Sequence, residues 1–179
     1  MELVISDAHL GLQAAIESTF TGASWQHCRV HFMREALKLV KKTERSEIAA
    51  KLRSAFELRL PRQELDALSP AEQGERRFVT SFKAFKALAQ ELESSHKKLS
   101  QFLDSGVEDV LTYLHFPELH HRKIHSTNLI ERLNRELKRR ACVVSIFPND
   151  AAALRLVTMI LIEQDDEWGS GKRYLSEMY

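Results

Sequence analysis

The chain has 179 residues, with 26 Lys and Arg against 25 Asp and Glu, so its formal net charge is +1. Hydrophobic residues make up 44% and charged residues 28%, a composition that excludes wholesale disorder. No apolar run approaches the roughly 18 residues of a membrane span, and we expect neither a membrane partner nor a secretory signal. Two cysteines, Cys28 and Cys142, make no disulfide framework, so we expect a reducing, cytoplasmic location.

The first thirty residues predict a strand, a helix and a second strand. Leu3, Val4 and Ile5 form a short apolar run that indicates a buried strand ending at Ser6 and Asp7. Apolar residues at helical spacing then predict a short helix up to about Thr21, and residues 24–31 read as another strand. This pattern is typical of an α/β sheet. Because the sequence offers only these two clear strands, we expect further strands of the sheet to lie upstream.

The middle of the sequence predicts an all-helical block. Helices are expected over about 32–42 and 44–60, and Ser69 followed by Pro70 is a strong start signal for a long third helix. The apolar stripe of that helix is expected to be core: Phe78, Phe82, Phe85 and Leu92. A fourth helix over 100–114 is expected to break at Ser105 and Gly106.

The last third predicts two more helices, over about 128–142 and 150–167. Residues 143–147 between them could form a short strand. Trp168 and Tyr174 are expected to anchor the tail by packing.

Positive charge is concentrated in the first of these two helices and just before it. Residues 122–140 contain seven basic side chains and two acids, an excess of five positive charges in nineteen residues. Such a patch is the electrostatic signature of a phosphate-binding surface, although a solvated helix face has the same composition. Glu131 lies among these cations. A capping box with Asn128 or an ion pair with Arg135 would explain it equally well.

Asp7 is the other candidate acid. Functional groups of α/β sheets gather beyond the carboxyl ends of strands, where Asp7 is predicted to lie, although it could simply cap the following helix. Asp7 and Glu131 together could hold divalent cations such as Mg²⁺, which prefers carboxylate oxygens. Two such ions can activate an oxygen nucleophile on a phosphodiester.

Several motifs in chain order resemble one known family. They are Ser6-Asp7-Ala8-His9-Leu10-Gly11, Trp25-Gln26-x-Cys28-x-Val30-His31-Phe32, Ser126-Thr127-Asn128-x-x-Glu131-Arg132-Leu133-Asn134-x-x-x-Lys138-Arg139-Arg140 and Ile146-Phe147-Pro148-Asn149. The chain resembles the C-terminal half of a mutator-type bacterial insertion-sequence transposase. Residues of about 44–110 match only in helical character and length.

The resemblance implies a DDE transposase with an RNase H-like core, here an α/β fold that is partial, mostly α by content, and interrupted by a helical insertion. Residues 1–32 and 116–179 would form the core and 33–115 the insertion. Asp7 would be the second catalytic aspartate and Glu131 the catalytic glutamate, both holding Mg²⁺ or Mn²⁺. The first aspartate would lie upstream, so we expect the chain alone to be inactive or severely crippled.

The resemblance also implies contacts with DNA, both the insertion-sequence ends and the target, by a homo-oligomer associated with the bacterial nucleoid. The residues expected to contact DNA phosphates are Arg132, Arg135, Lys138, Arg139 and Arg140. Cys28 and His31 belong to a motif of the family, as do Asn128 and Asn134.

Two alternatives stay open. One is a DNA-binding remnant without enzymatic activity. The other is a zinc-stabilised interaction domain with ligands Cys28, His31, His121 and His125, whose spacing fits half-sites of a zinc cluster. On a strand, however, Cys28 and His31 would point to opposite faces, and a buried cysteine with a hydrogen-bonded histidine is the simpler expectation.

Overall fold

The computed structural model describes residues 2–58 and 60–170; the packing role predicted for Tyr174 lies outside these residues. The described chain is mostly helical and contains one small parallel sheet. The strands are β1 (Leu3–Ser6) and β2 (Ser24–His27). The helices are α1 (Leu10–Thr19), α2 (Arg29–Lys38), α3 (Arg45–Phe56), α4 (Arg62–Leu65), α5 (Pro70–Leu92), α6 (Lys97–Leu111), α7 (Glu118–Ile124), α8 (Asn128–Val144) and α9 (Asp150–Ser170), with a 3-10 helix (Thr112–His115) between α6 and α7.

The chain divides into two compact units, one ending at Ser126 and the other beginning at Thr127. None of the helices that the structure describes is both long enough and apolar enough to cross a bilayer.

The strand–helix–strand unit at the start of the chain is confirmed. β1 and β2 pair in parallel from Leu3 opposite Ser24 to Ser6 opposite His27, and α1 connects them. The second strand is shorter than predicted, because α2 begins right after it with Cys28 as its N-cap. The prediction that the strand extends over residues 29–31 is therefore wrong. The amide of Phe32 donates to the carbonyl of Cys28 at 2.9 Å, which closes the first helical turn.

The core of the first unit lies among α2, α3, α5 and α6, within the part of the chain that the sequence predicts to be helical. Phe32 of α2 is fully buried, and its ring meets the rings of Phe56 and Phe85 edge-on at 6.2 and 6.3 Å between centroids. The stripe predicted as core on α5 is confirmed, with Phe85 and Leu92 buried and the two earlier phenylalanines packed against them. Hydrophobic burial of this cluster is the main source of stability for the unit.

The helical block confirms one predicted helix boundary and contradicts another. The start predicted at Ser69 is confirmed as a capping box, in which the Ser69 amide donates to the Glu72 carboxylate at 2.8 Å. The break predicted at Ser105 and Gly106 is wrong, since α6 runs through both residues. A Cβ atom on Gly106 would lie 3.0 Å from Cε2 of Phe32, so the missing side chain permits close helix packing.

A buried glutamine ties the sheet to the helical block. Gln26 of β2 has no exposed surface, and its Nε2 donates to the carbonyl oxygens of His27 and Val110 at 2.7 and 2.8 Å. Its Oε1 accepts a hydrogen bond of 2.7 Å from the amide of Tyr113. One side chain therefore satisfies backbone groups at the end of β2, in the last turn of α6 and in the 3-10 helix.

The second unit contains α8 and α9, joined by a tight turn. Ser145 has a φ of 63° and a ψ of −61°, and the amide of Ile146 donates to the carbonyl of Val144 at 2.8 Å, which is the geometry of a γ-turn. The possible strand over 143–147 is thus wrong, because α8 continues to Val144. Asn149 caps α9 by accepting the Ala152 amide at 2.9 Å. Trp168, the predicted packing anchor, is 38% exposed.

Candidate functional site

Asp7 follows β1 directly, at the carboxyl end of the strand, where the sequence predicts it. The residue that caps α1 is His9, and its side chain makes no capping hydrogen bond. The alternative explanation of Asp7 as a helix cap is therefore wrong. Its side chain is 53% exposed, so the carboxylate is accessible from solvent.

His31 contacts Asp7, a contact that the sequence did not predict. Its Nδ1 lies 2.8 Å from Oδ1 of Asp7, and its side chain is only 17% exposed. Because His31 lies in the first turn of α2 and Cys28 is the N-cap of that helix, His31 reaches Asp7 at the end of β1, while Cys28 is fully buried. Reading the Cys28-x-x-His31 spacing as one helical turn would have predicted that these two residues share a side.

His27, at the end of β2, adds a buried imidazole to this region. Its ring stacks on Trp25 at 5.8 Å and meets Phe32 edge-on at 5.5 Å. Burial lowers the pKa of His27, and the Glu35 carboxylate, 3.7 Å from Nε2, offsets this only in part. His27 is thus held mainly in its neutral form at pH 7.

The four residues of the zinc alternative do not form a metal-binding group. His121 donates from Nε2 to the carbonyl of Phe116 at 2.7 Å, and Nδ1 of His125 lies 2.8 Å from the carbonyl of His121. Across residues 2–58 and 60–170, no three His, Cys, Asp or Glu side chains are grouped so that they could hold a metal ion. Burial also lowers the pKa of both histidines. This arrangement gives the zinc alternative no support.

Glu131 lies in the first turn of α8, in the second unit. The N-cap of this helix is Thr127, so a capping box with Asn128 as the cap is wrong. Oε1 of Glu131 lies 3.5 Å from the Thr127 hydroxyl, and its side chain is half-buried. The position in the first turn places this carboxylate near the positive end of the helix dipole. Asn128 and Asn134, the two other motif residues on this helix, are exposed.

The five basic residues predicted to contact phosphates fall into two groups. Arg139 and Arg140 both bind Glu136, with shortest separations of 2.7 and 2.9 Å, and Arg140 also reaches Glu163 at 3.0 Å. The hydrogen bonds from Arg139 and then Arg140 lower the pKa of Glu136 to about 2. These two arginines are therefore already paired with carboxylates.

The second group consists of Arg132, Arg135 and Lys138, which are exposed on α8. None of the three forms an ion pair with a carboxylate in the part of the chain that the structure describes. Their charge is thus available to an anionic partner. The opposite side of α8 is apolar and only partly buried: Leu129, Leu133 and Leu137 are half-buried, and Ile130 is 52% exposed.

Comparison with known proteins identifies the family. The sequence profile described as "Transposase, Mutator family" matches residues 1–171. The chain is 38% identical over 173 residues to the transposase for insertion sequence element IS1081 of Mycobacterium tuberculosis, covering 97% of this chain and 38% of that protein. It is 36% identical over 175 residues to the transposase for insertion sequence element IS406 of Burkholderia multivorans, covering 97% of this chain and 41% of that protein.

A third relative is the transposase for insertion sequence element IS256 in transposon Tn4001 of Staphylococcus aureus, 34% identical over 176 residues, which cover 98% of this chain and 41% of that protein. The chain thus spans about two fifths of the length of the relatives it matches. The match runs through the strand–helix–strand unit, the helical block and both helices of the second unit. The chain belongs to the mutator family of transposases.

Proposed function

We propose that this chain carries two of the three acidic residues of a metal-dependent transposase site that cleaves DNA strands and joins them during movement of an insertion sequence. Asp7 and Glu131 are the two acids. The family resemblance implies that the third acid, an aspartate, lies outside these 179 residues, which span about two fifths of the length of the relatives.

The observation that carries the proposal is the position of Asp7. It stands at the carboxyl end of a parallel strand, does not cap the next helix, and lies 2.8 Å from the His31 imidazole. A carboxylate with no role in helix capping, at the edge where α/β sheets gather functional groups, is better explained by function than by stability.

The donor set fits a hard divalent cation. Asp7 and Glu131 offer carboxylate oxygens, which are the ligands that Mg²⁺ and Mn²⁺ prefer, and neither side chain is fully buried. When bound, such ions supply Lewis-acid activation of an oxygen nucleophile and stabilise the leaving oxygen of a phosphodiester. His31 positions the Asp7 carboxylate, and Thr127 contacts that of Glu131.

The basic face of α8 binds the DNA backbone. Arg132, Arg135 and Lys138 make the main phosphate contacts because no described carboxylate neutralises them. Arg139 and Arg140 contribute less, since a phosphate must compete with Glu136 for their guanidinium groups. Such contacts position DNA without reading its sequence.

The fold that accompanies this proposal is a partial RNase H-like core, formed by residues 1–32 and 116–179, with 33–115 as a helical insertion. The parallel pair β1–β2 supports it, because parallel strands normally occur in larger, covered sheets. The family's homo-oligomeric state and its DNA ends and target remain predictions for this chain.

Metal binding provides the test. In NMR spectra of the isotope-labelled chain, added Mn²⁺ broadens the amide resonances of residues close to its ligands. We therefore expect selective loss of signal near Asp7 and near Glu131. The double variant Asp7→Asn/Glu131→Gln should abolish that broadening. The matched variant Asp66→Asn/Glu93→Gln, which alters two exposed acids elsewhere, should leave it intact. Broadening that survives the loss of Asp7 and Glu131 would contradict the proposed ligands.

Activity provides a second measurement. With one acid of three missing, the 179-residue chain should not nick supercoiled plasmid in Mg²⁺ above the level of the Asp7→Asn variant. Robust Mg²⁺-dependent nicking that Asp7→Asn does not reduce would show that the site lies elsewhere.

A second candidate function, DNA binding without catalysis, is favoured by the three unneutralised cations of α8. It predicts binding that weakens steeply with salt and survives both Asp7→Ala and Glu131→Ala. The triple variant Arg132→Ala/Arg135→Ala/Lys138→Ala should lose most of this binding. Equal binding by the triple variant and the parent chain would rule out α8 as the interface.

A further inference from the structure

The first unit contains an open cleft with a volume of about 1090 Å³, between the C-terminal end of α3, α4, α5 and α7. Four arginines line it, Arg29, Arg62, Arg77 and Arg122, and only two glutamates, Glu57 and Glu118. These side chains leave an excess of two positive charges. Because the arginines are dispersed along the sequence, no motif or charge run reveals them; the fold brings them together.

Two of these arginines are fixed inside the cleft. The guanidinium group of Arg29 lies over the ring of Phe56, 4.3 Å from its centroid, and pairs with Glu57 at 3.4 Å. Arg77 is only 14% exposed and pairs with Glu118 at 2.7 Å. A guanidinium group is planar and can stack with planar groups on both of its faces, so Arg29 can take a further planar group while it contacts Phe56.

The other two arginines lie at the rim. Arg62 and Arg122 are exposed, and neither forms an ion pair with a carboxylate among residues 2–58 and 60–170. Within the described residues, no carboxylate therefore neutralises the charge of these two arginines. Leucines contribute the apolar part of the walls: Leu58, Leu60, Leu65, Leu114 and Leu119.

We propose that this cleft binds a single DNA strand, with phosphates on Arg62 and Arg122 and a base stacked on the guanidinium of Arg29. The proposal rests on the proposed function only in taking DNA as the partner; it needs neither the catalytic acids nor α8. Arginine with apolar and aromatic walls is the combination that recognises unstacked nucleotides.

A single strand fits this cleft better than a duplex does. The volume of the cleft, about 1090 Å³, lies near the upper end of the roughly 300–1,000 Å³ range of small-molecule sites, so groups of nucleotide size can enter it. Bases inside a duplex remain stacked on each other, so they cannot reach a group at the bottom of a cleft. The expected preference is therefore for single-stranded over double-stranded DNA.

The experiment measures fluorescence anisotropy of a labelled mixed-sequence oligonucleotide of about 20 nucleotides, as single strand and as duplex, with the full chain. The rim variant Arg62→Ala/Arg122→Ala should bind the single strand about 10-fold or more weakly. It should also lower the slope of log affinity against log salt by about 1.4, the value for two lost contacts on a single strand.

The matched control is Arg45→Ala/Arg53→Ala, which removes the same charge from exposed positions of α3 outside the cleft. It should change single-strand binding by less than about twofold, because neither arginine lines the cleft and exposed charges outside a site are screened at ordinary salt. Equal losses in the rim and control variants would overturn the proposal, as would a rim variant that binds the single strand like the parent chain.

Arg29→Lys tests the stacking step. Lysine keeps the charge but lacks the planar face, so single-strand affinity should fall several-fold while thermal unfolding stays cooperative. Unchanged affinity in a folded Arg29→Lys chain would contradict the stacking contact. Asp7→Asn/Glu131→Gln should lose Mn²⁺ broadening and keep single-strand binding, so the cleft and the proposed metal site can fail separately.

Discussion

Replacing Gln26 with methionine tests how the sheet is attached to the helical block. The fully buried Gln26 side chain makes three hydrogen bonds, to the carbonyls of His27 and Val110 and from the amide of Tyr113. Methionine has a similar length and no polar terminus, so packing is nearly preserved while all three bonds are lost.

The magnitude follows from the groups left behind. The amide of Tyr113 is left without its acceptor at a cost of about 1–3 kcal/mol, and the two carbonyls add less, because each has a second lone pair. Methionine no longer buries an amide, which offsets part of the loss. We therefore expect Gln26→Met to lower the free energy of unfolding by about 2–3 kcal/mol, measured by urea denaturation followed by circular dichroism.

Gln101→Met is the matched control, because Gln101 is exposed on α6. The same chemical change there should stay within about 0.5 kcal/mol of the parent chain. If Gln26→Met is as stable as Gln101→Met, the three hydrogen bonds do not hold the sheet to the block and the reasoning fails.

Three further predictions follow from single positions. Gly74→Ala places a Cβ atom 2.9 Å from a carbonyl oxygen of the 3-10 helix, so this substitution should lower the melting temperature. Gly169→Ala should not lower it, because a Cβ atom there has nothing within 4 Å. Equal melting temperatures of the two variants would contradict this packing. In the native chain a thiol reagent should modify Cys142, which is exposed, and should reach buried Cys28 only in denaturant; two fast-reacting thiols would contradict that burial. Hydrogen bonds from Arg139 and Arg140 lower the pKa of Glu136 to about 2, so the stabilising effect of this carboxylate is present above the ordinary carboxyl pKa and is lost as pH falls toward 2. An NMR titration of Glu136 with a midpoint of about 4.5 would show that the ion pairs are not formed in solution.

The sequence predicts the structure correctly where the deciding interactions lie within one helical turn, one helix or one strand. The capping box at Ser69 and the apolar stripe ending at Leu92 depend on neighbours along the same helix, so their patterns predict them directly. The pairing of the two strands could also be predicted from the sequence, because a strand, a short helix and a second strand permit few other arrangements.

The errors arose where a tertiary contact decides the local structure. Residues 28–31 read as strand because of Val30 and the aromatic residues nearby, but the carbonyl of His125 accepts the amide of Arg29 at 2.9 Å as α2 begins. The contact of His31 with Asp7 depends on that change and could not be predicted while 28–31 was taken as extended. The arginine cleft also depends on tertiary structure, since its four arginines lie on four different helices, α2, α4, α5 and α7.

The close approach of Phe32 to Gly106 couples the substitutions that these two positions, far apart in the sequence, can tolerate. An engineer who seeks a more heat-resistant protein would ordinarily exchange a mid-helix glycine for alanine and gain about 1 kcal/mol. Here the added methyl group would lie 3.0 Å from a ring that is fully buried and has the Phe102 ring 4.8 Å away. The exchange should succeed only together with a smaller residue at position 32, so natural variants of this fold are expected to change both positions in concert.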